Sequence, residues 1–129
     1  MPDPIIVIDT SEILEGKLHE LEAVVKELAA FVHANEPRPI LYNVFFNEGG
    51  TKMTVLQIHP DSASMEFHME VAGSAFPQFK NLLKMSTMDI YGKPSEKLVK
   101  QMHEKAHMLG APDVGVHELQ SGFSRIRVP

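Results

Sequence analysis

Cysteine and tryptophan are absent from these 129 residues. Without cysteine there is no disulfide framework, no thiolate nucleophile and no cysteine-ligated zinc. Basic residues are scarce: twelve Lys and Arg against seventeen Asp and Glu leave a formal charge of -5. That is the wrong balance for gripping a nucleic-acid backbone. No apolar run approaches bilayer length, and the N-terminus lacks a basic region followed by a small-residue cleavage site. A soluble, cytoplasmic protein with no nucleic-acid and no membrane partner is expected. No glycine-rich phosphate loop, G-x-S-x-G elbow, repeat or linker interrupts the chain. It reads as a single domain, 1–129, with a core over about 4–92 and a C-terminal extension over about 93–129. What it does have is eight methionines and seven phenylalanines, a composition suited to a core or pocket with adaptable apolar walls.

The element order follows from periodicity. Residues 4–10 (PIIVIDT) are a β-rich apolar run, with 12–16 leading out of it. From 17 to 35, Leu18, Leu21, Val24, Val25, Leu28 and Val32 recur at helical spacing. Asn35-Glu36-Pro37 stops that helix, because the residue before proline avoids the α region. Residues 40–47 and 53–59 are strands joined as a hairpin through Glu48-Gly49-Gly50-Thr51. On the first of them Tyr42, Val44 and Phe46 share one face and Leu41, Asn43 and Phe45 the other. Both faces are largely apolar. One layer of helices covers only one face, so a second copy of the chain is the expected cover for the other.

Asp61 or Ser62 caps a helix whose stripe is Met65, Met69 and Ala72, with His68 beside it. A short helical piece around Phe76 and Phe79 and a strand over 86–91 follow. Ser95 then caps a helix to Leu109, ended by Gly110-Ala111-Pro112. Residues 114–119 and 123–128 suggest a terminal strand pair around Gln120-Ser121-Gly122. The order β-α-β-β-α-β, then a helix and a β tail, is an α+β ferredoxin-like arrangement.

The clearest motif match is His103-Glu104-Lys105-Ala106-His107, which satisfies H-E-x-x-H. In zinc hydrolases two histidines one turn apart hold the metal and the glutamate activates water. Here the helix stripe is Leu98, Val99, Met102, Ala106 and Leu109, with His103 at its edge and His107 beyond it. No methionine follows Met108 to supply the turn such enzymes need. A metal site is therefore not expected, and a mixed amphipathic helix is the plainer reading. His68, beside an apolar stripe, is either a hydrogen-bonded core residue or a proton acceptor. Gln57 and His59 end one strand on one face. They are either the polar rim of a pocket or a strand terminus facing water. Tyr42 and Asn43 lie on opposite faces, so only one can face a given cavity, and Asn43 needs a partner if buried. Asp9 is a perturbed carboxylate or, the favoured reading, a strand-end residue exposed to water.

The run GKLHELEAVVKELAAFVHANEP followed by LYNVFFNEGGTKMTVLQIHPDSASMEFHM resembles the antibiotic biosynthesis monooxygenase superfamily, the dimeric α+β barrels that include quinol monooxygenase-like proteins. The features carrying it are Gly16-Lys17 opening the helix, Asn35-Glu36-Pro37 closing it, Tyr42, the glycine turn, and Asp61-Ser62 leading to His68. The resemblance implies a homodimer, packed sheet to sheet, with a pocket in each subunit between sheet and helices. It implies a small aromatic or quinol ligand and a cofactor-independent monooxygenase reaction, with His68 in the place of the family's helix histidine. Asn43, Tyr42, Gln57 and His59 would be ligand-binding residues, and a non-catalytic ligand-binding dimer is the alternative. Gln57 stands where many relatives have Glu, and His59 where many have an aromatic residue. The lack of tryptophan, and Phe79-Lys80 where the haem-degrading branch has a histidine, weigh against haem degradation.

Overall fold

A computed structural model describes residues 3–111 and 113–126. Five strands form one sheet in the order β2-β3-β1-β4-β5. They are β1 (Ile5–Ile13), β2 (Leu41–Phe46), β3 (Lys52–His59), β4 (Leu83–Tyr91) and β5 (Val114–His117). The helices are α1 (Leu18–Asn35), α2 (Ser62–Ala72) and α3 (Glu96–Leu109), with a 3-10 segment, Gly73–Asn81, after α2. β1 lies between β3 and β4 and is antiparallel to both, with Ile5 opposite His59 and Ile6 opposite Tyr91. The first four strands thus have the ferredoxin-like order that the sequence predicts.

Each element forms for a local reason. Asp61 accepts from the Ser64 backbone N–H at the start of α2, and Ser95 accepts from Leu98 at the start of α3. In the β2–β3 turn Asn47 Oδ1 accepts from the backbone of Thr51 and Lys52. Gly50 takes φ 65°, which a side chain disfavours. α3 ends where Gly110 meets β4. A Cβ there would collide with the Met85 backbone.

The alternation on the strands decides where the core sits. On β1, residues 5, 7, 9 and 11 are buried and their neighbours are not, and on β3 residues 53, 55, 57 and 59 are buried. These inner positions pack with Leu21 and Leu28 of α1, Met65 and Met69 of α2, and Leu98 and Met102 of α3 in one core. On the outer face Ile6, Ile8, Leu56 and Ile58 remain partly exposed, Phe45 is exposed, and no helix among the described residues covers them.

Three expectations need correction. β1 continues to Ile13 instead of stopping near residue 10, so Asp9 lies within the central strand and is buried, not at an exposed strand end. β4 begins at Leu83, and a bulge between Thr10 and Ser11 in its pairing leaves Ser86 free to bond the Thr10 carbonyl at 3.0 Å. β5 does not pair with a following strand. It runs parallel to β4, residues 123–126 form no strand, and 127–128 of the expected strand lie outside the described residues, as does Pro112 of the helix stop. Gly115 permits this pairing, since a Cβ there would strike Asp89. No helix among the described residues is long and apolar enough to cross a membrane.

Candidate functional site

A narrow cleft, with room for about 30 Å³ as it stands, lies between the inner face of the sheet, α1, α3 and the 3-10 segment. Tyr42, Phe76 and Phe79 give it aromatic walls, and Met53 and Met85 give it adaptable ones. Its polar side chains are Asp9, Ser11, Tyr42 and Lys105. Inner-face alternation on β1 aims Asp9 and Ser11 at the helices. Neither Asp9 Oδ2 nor Ser11 Oγ has a hydrogen-bond partner among the described residues, although both are buried. Lys105 Nζ stands 3.9 Å from Asp9 Oδ2 and 4.4 Å from the centre of the Phe76 ring. Burial raises the Asp9 pKa above the usual carboxylate range, and the positive charge of Lys105 moderates the rise.

His68 sits behind this wall. Its Nδ1 is 2.9 and 3.0 Å from the two carboxylate oxygens of Glu36, so the ring donates there and Nε2 carries the lone pair. Both side chains are essentially inaccessible. Burial lowers the His68 pKa, and the hydrogen bond to Glu36 opposes that shift. The rings of Tyr42 and Phe76 lie 5.5 and 6.2 Å from His68, and it is they, not His68, that line the cleft. Burial, with the negative charges of Asp9 and Glu36, holds the Tyr42 hydroxyl far above its ordinary pKa, so it is neutral.

A second buried string runs beside the first. His59 Nε2 is 2.9 Å from Gln57 Oε1 and its Nδ1 is 2.7 Å from Ser64 Oγ. An amide oxygen can only accept, so Nε2 carries the proton and Ser64 donates to Nδ1. Burial, reinforced by His68, lowers the His59 pKa to about 3. Gln57 Nε2 has no partner among the described residues.

The sequence-predicted residues therefore divide. Tyr42 lines the cleft; His68, Gln57 and His59 are buried close behind it, and not facing water. Asn43 is exposed on the outer face, away from the cleft. His103 and His107 are both exposed, and among the described residues no three His, Asp or Glu side chains are grouped to hold a metal. Sequence reasoning missed Glu36, which had been only part of a helix stop, and Lys105, which was hidden inside the H-E-x-x-H match. The signal for Lys105 was present: it lies seven residues from Leu98, at the edge of the apolar stripe of α3.

No family model and no curated protein matches the sequence. Solved structures do match. One is a Caulobacter crescentus protein provisionally named an antibiotic biosynthesis monooxygenase, 28% identical over 57% of this chain and 76% of that one, with a TM-score of 0.51. Another is SnoaB from Streptomyces nogalater, described as a cofactor-independent oxygenase, at 14% identity over 72% of this chain and 95% of that one, TM-score 0.60. This chain has the antibiotic biosynthesis monooxygenase fold. MupZ from Pseudomonas fluorescens extends the likeness of this fold to nearly the whole chain: 22% identity, 97% of this chain, 91% of that one, TM-score 0.76. At these identities the likeness is one of architecture.

Proposed function

We propose that the chain is a cofactor-independent oxygenase acting on a small aromatic or quinol compound in the cleft. The observation that carries this reading is a set of buried acid–base groups against an apolar, aromatic-walled cleft, on the fold that SnoaB also has. The substrate supplies the electrons. A quinol reacting with O₂ takes one oxygen atom into its ring as a hydroxyquinone, the other leaves as water, and the quinol carbon frame loses four electrons. The protein's part is to exclude water, orient the ring and move a proton. His68, neutral and fixed by Glu36, is the proton acceptor suggested by its place on α2. It reaches the ligand only past Tyr42 and Phe76.

The test is ligand-dependent oxygen uptake with a panel of small quinols. Wild type is expected to consume oxygen and His68→Gln to lose turnover by about a hundredfold or more, because glutamine can keep one hydrogen bond but cannot act as a base. A folded His68→Gln protein with an unchanged rate would make His68 structural. Quinol binding with no oxygen uptake would favour the non-catalytic ligand-binding reading.

The same proposal includes a homodimer formed through the outer sheet face. Ile6, Ile8, Leu56 and Ile58 lie there with Phe45, which is 51% exposed. Light scattering should return twice the 14.4 kDa chain mass. Phe45→Asp should leave little soluble dimer, since a charge would be forced into an apolar interface. A wild-type monomer at micromolar concentration would refute it. Asn43, on the same face, would then meet the partner chain and not the ligand.

A further inference from the structure

Asp9 and Lys105 are opposite charges set at core positions of two different elements. If they served packing alone, their geometry should be that of a closed ion pair, with N–O contact near 2.8 Å and the remaining acceptors satisfied. They do not meet that description. Nζ and Oδ2 are 3.9 Å apart, and among the described residues Oδ2 has no hydrogen-bond donor and the Ser11 Oγ of the same cleft is also unpartnered. The ammonium is kept in the cleft by the face of Phe76 instead of extending to water. A single oxygen atom about 2.8 Å from each group fits as the third corner of the triangle they leave open.

We propose that Asp9 and Lys105 form the ionising centre of the cleft, binding the weakly acidic hydroxyl of a phenolic, quinolic or enolic ligand. The ligand O–H bond breaks and the proton passes to Asp9 Oδ2, while the ring-carbon proton lost after oxygen adds is the one that falls to His68. The electron pair stays on the ligand oxygen as an oxyanion held by Lys105. No electron leaves the ligand in this step. Burial makes Asp9 a stronger base than an exposed carboxylate. The titratable groups facing it are the charged Lys105 from α3, the neutral His68 from α2 and the neutral Tyr42 of the cleft lining. The inference deepens the oxygenase reading, since an electron-rich oxyanion is the form of a quinol that reduces oxygen, but its test does not depend on turnover.

The probe is 4-nitrophenol, whose phenol and phenolate absorb at different wavelengths and whose nitro group makes it a poor reductant. It is titrated with the full-length protein, buffered on the acid side of the probe's own pKa. Wild type should generate the phenolate band without releasing a proton to the buffer, because Asp9 keeps it. Lys105→Met should bind about tenfold or more weakly and show no phenolate band, and Lys105→Arg should restore it. Asp9→Asn should still bind phenolate, now releasing one proton to the buffer, and should lose quinol turnover. A wild-type titration with no phenolate band, or a Lys105→Met protein that behaves as wild type, overturns the assignment. If Lys105→Met fails to fold, Asp9→Asn and Lys105→Arg carry the test, and proton release unchanged in Asp9→Asn overturns it. Oxygen uptake with no phenolate band removes this inference and leaves oxygenation. A phenolate band with no oxygen uptake does the reverse.

Discussion

Glu36→Ala is expected to remove roughly 3–5 kcal/mol of folding stability, the summed cost of deleting the acceptor of a fully buried, charge-assisted hydrogen bond and of the void left behind. The carboxylate is inaccessible and, among the described residues, is the only hydrogen-bond partner of His68 Nδ1. Its loss would leave a buried N–H unsatisfied beside a new void, each a penalty of its own. The helix would not explain the change, because Glu36 caps α1 through its backbone N–H to the Val32 carbonyl at 2.9 Å, and alanine retains that bond. His68 also packs with Tyr42, His59 and Phe76, so its release would loosen the cleft wall. For a domain with a total stability of about 5–15 kcal/mol the loss is a large share, seen as a shift of about 2 M in the urea midpoint. Glu36→Gln, whose amide oxygen still accepts from Nδ1–H, should lose less than half as much. A Glu36→Ala midpoint close to wild type would show that the pair contributes nothing to the fold.

The second large effect is acid sensitivity. His59 has a pKa of about 3 in the folded protein, against 6.5 for the unperturbed group. Between these values the unfolded chain binds a proton that the native protein excludes, so stability rises with pH there. The contribution is whole above about pH 6.5, declines as pH falls, and is lost by about pH 3. At 1.36 kcal/mol per unit it amounts to roughly 4–5 kcal/mol. His68, also lowered, acts with the same sign. Asp9, raised, acts with the opposite sign: its penalty grows as pH climbs above the usual carboxylate range, so it softens the acid loss. Urea unfolding at a series of pH values should show the steep window in wild type and a much shallower slope in His59→Asn. An equal slope in the variant would show that another group governs acid unfolding.

How much of this was legible before the structure depends on whether a residue's environment is set by its own element or by another. The hairpin, the capped helices and the division of β2 into two faces follow from local spacing and were readable, whereas which of those faces turns inward was not. The burial of His68 was readable too, because it borders the Met65, Met69, Ala72 stripe. Its partner was not. Glu36 sits in a tripeptide whose obvious meaning is to end α1, and only the docking of α1 against α2 brings the two together. Asp9 and Lys105 are instructive in another way. Each breaks an apolar pattern, Ile5-Val7-Asp9 on β1 and Leu98-Met102-Lys105-Leu109 on α3. Taken singly each looks like an exposed end or a solvent-facing turn. Taken together, two opposite charges at core positions imply one another, because neither can be buried alone at tolerable cost. The tail was misread for a simpler reason. β5 was assigned a neighbour in sequence, whereas the space left by Gly115 lets it add to β4 in parallel.

β1, the middle of the sheet, has no neighbour in its own vicinity along the chain. Ile5 must find His59 and Ile6 must find Tyr91. The β2–β3 hairpin and the three helices can form from nearby residues, but the strand that unites them is joined only by distant ones. Closing it pays a loop entropy that no local contact repays in advance. The central strand is therefore the slow step in assembly. Until it is taken in, the apolar stretch Ile5-Ile6-Val7-Ile8 has two open edges and is the part of the chain most exposed to pairing with the wrong neighbour.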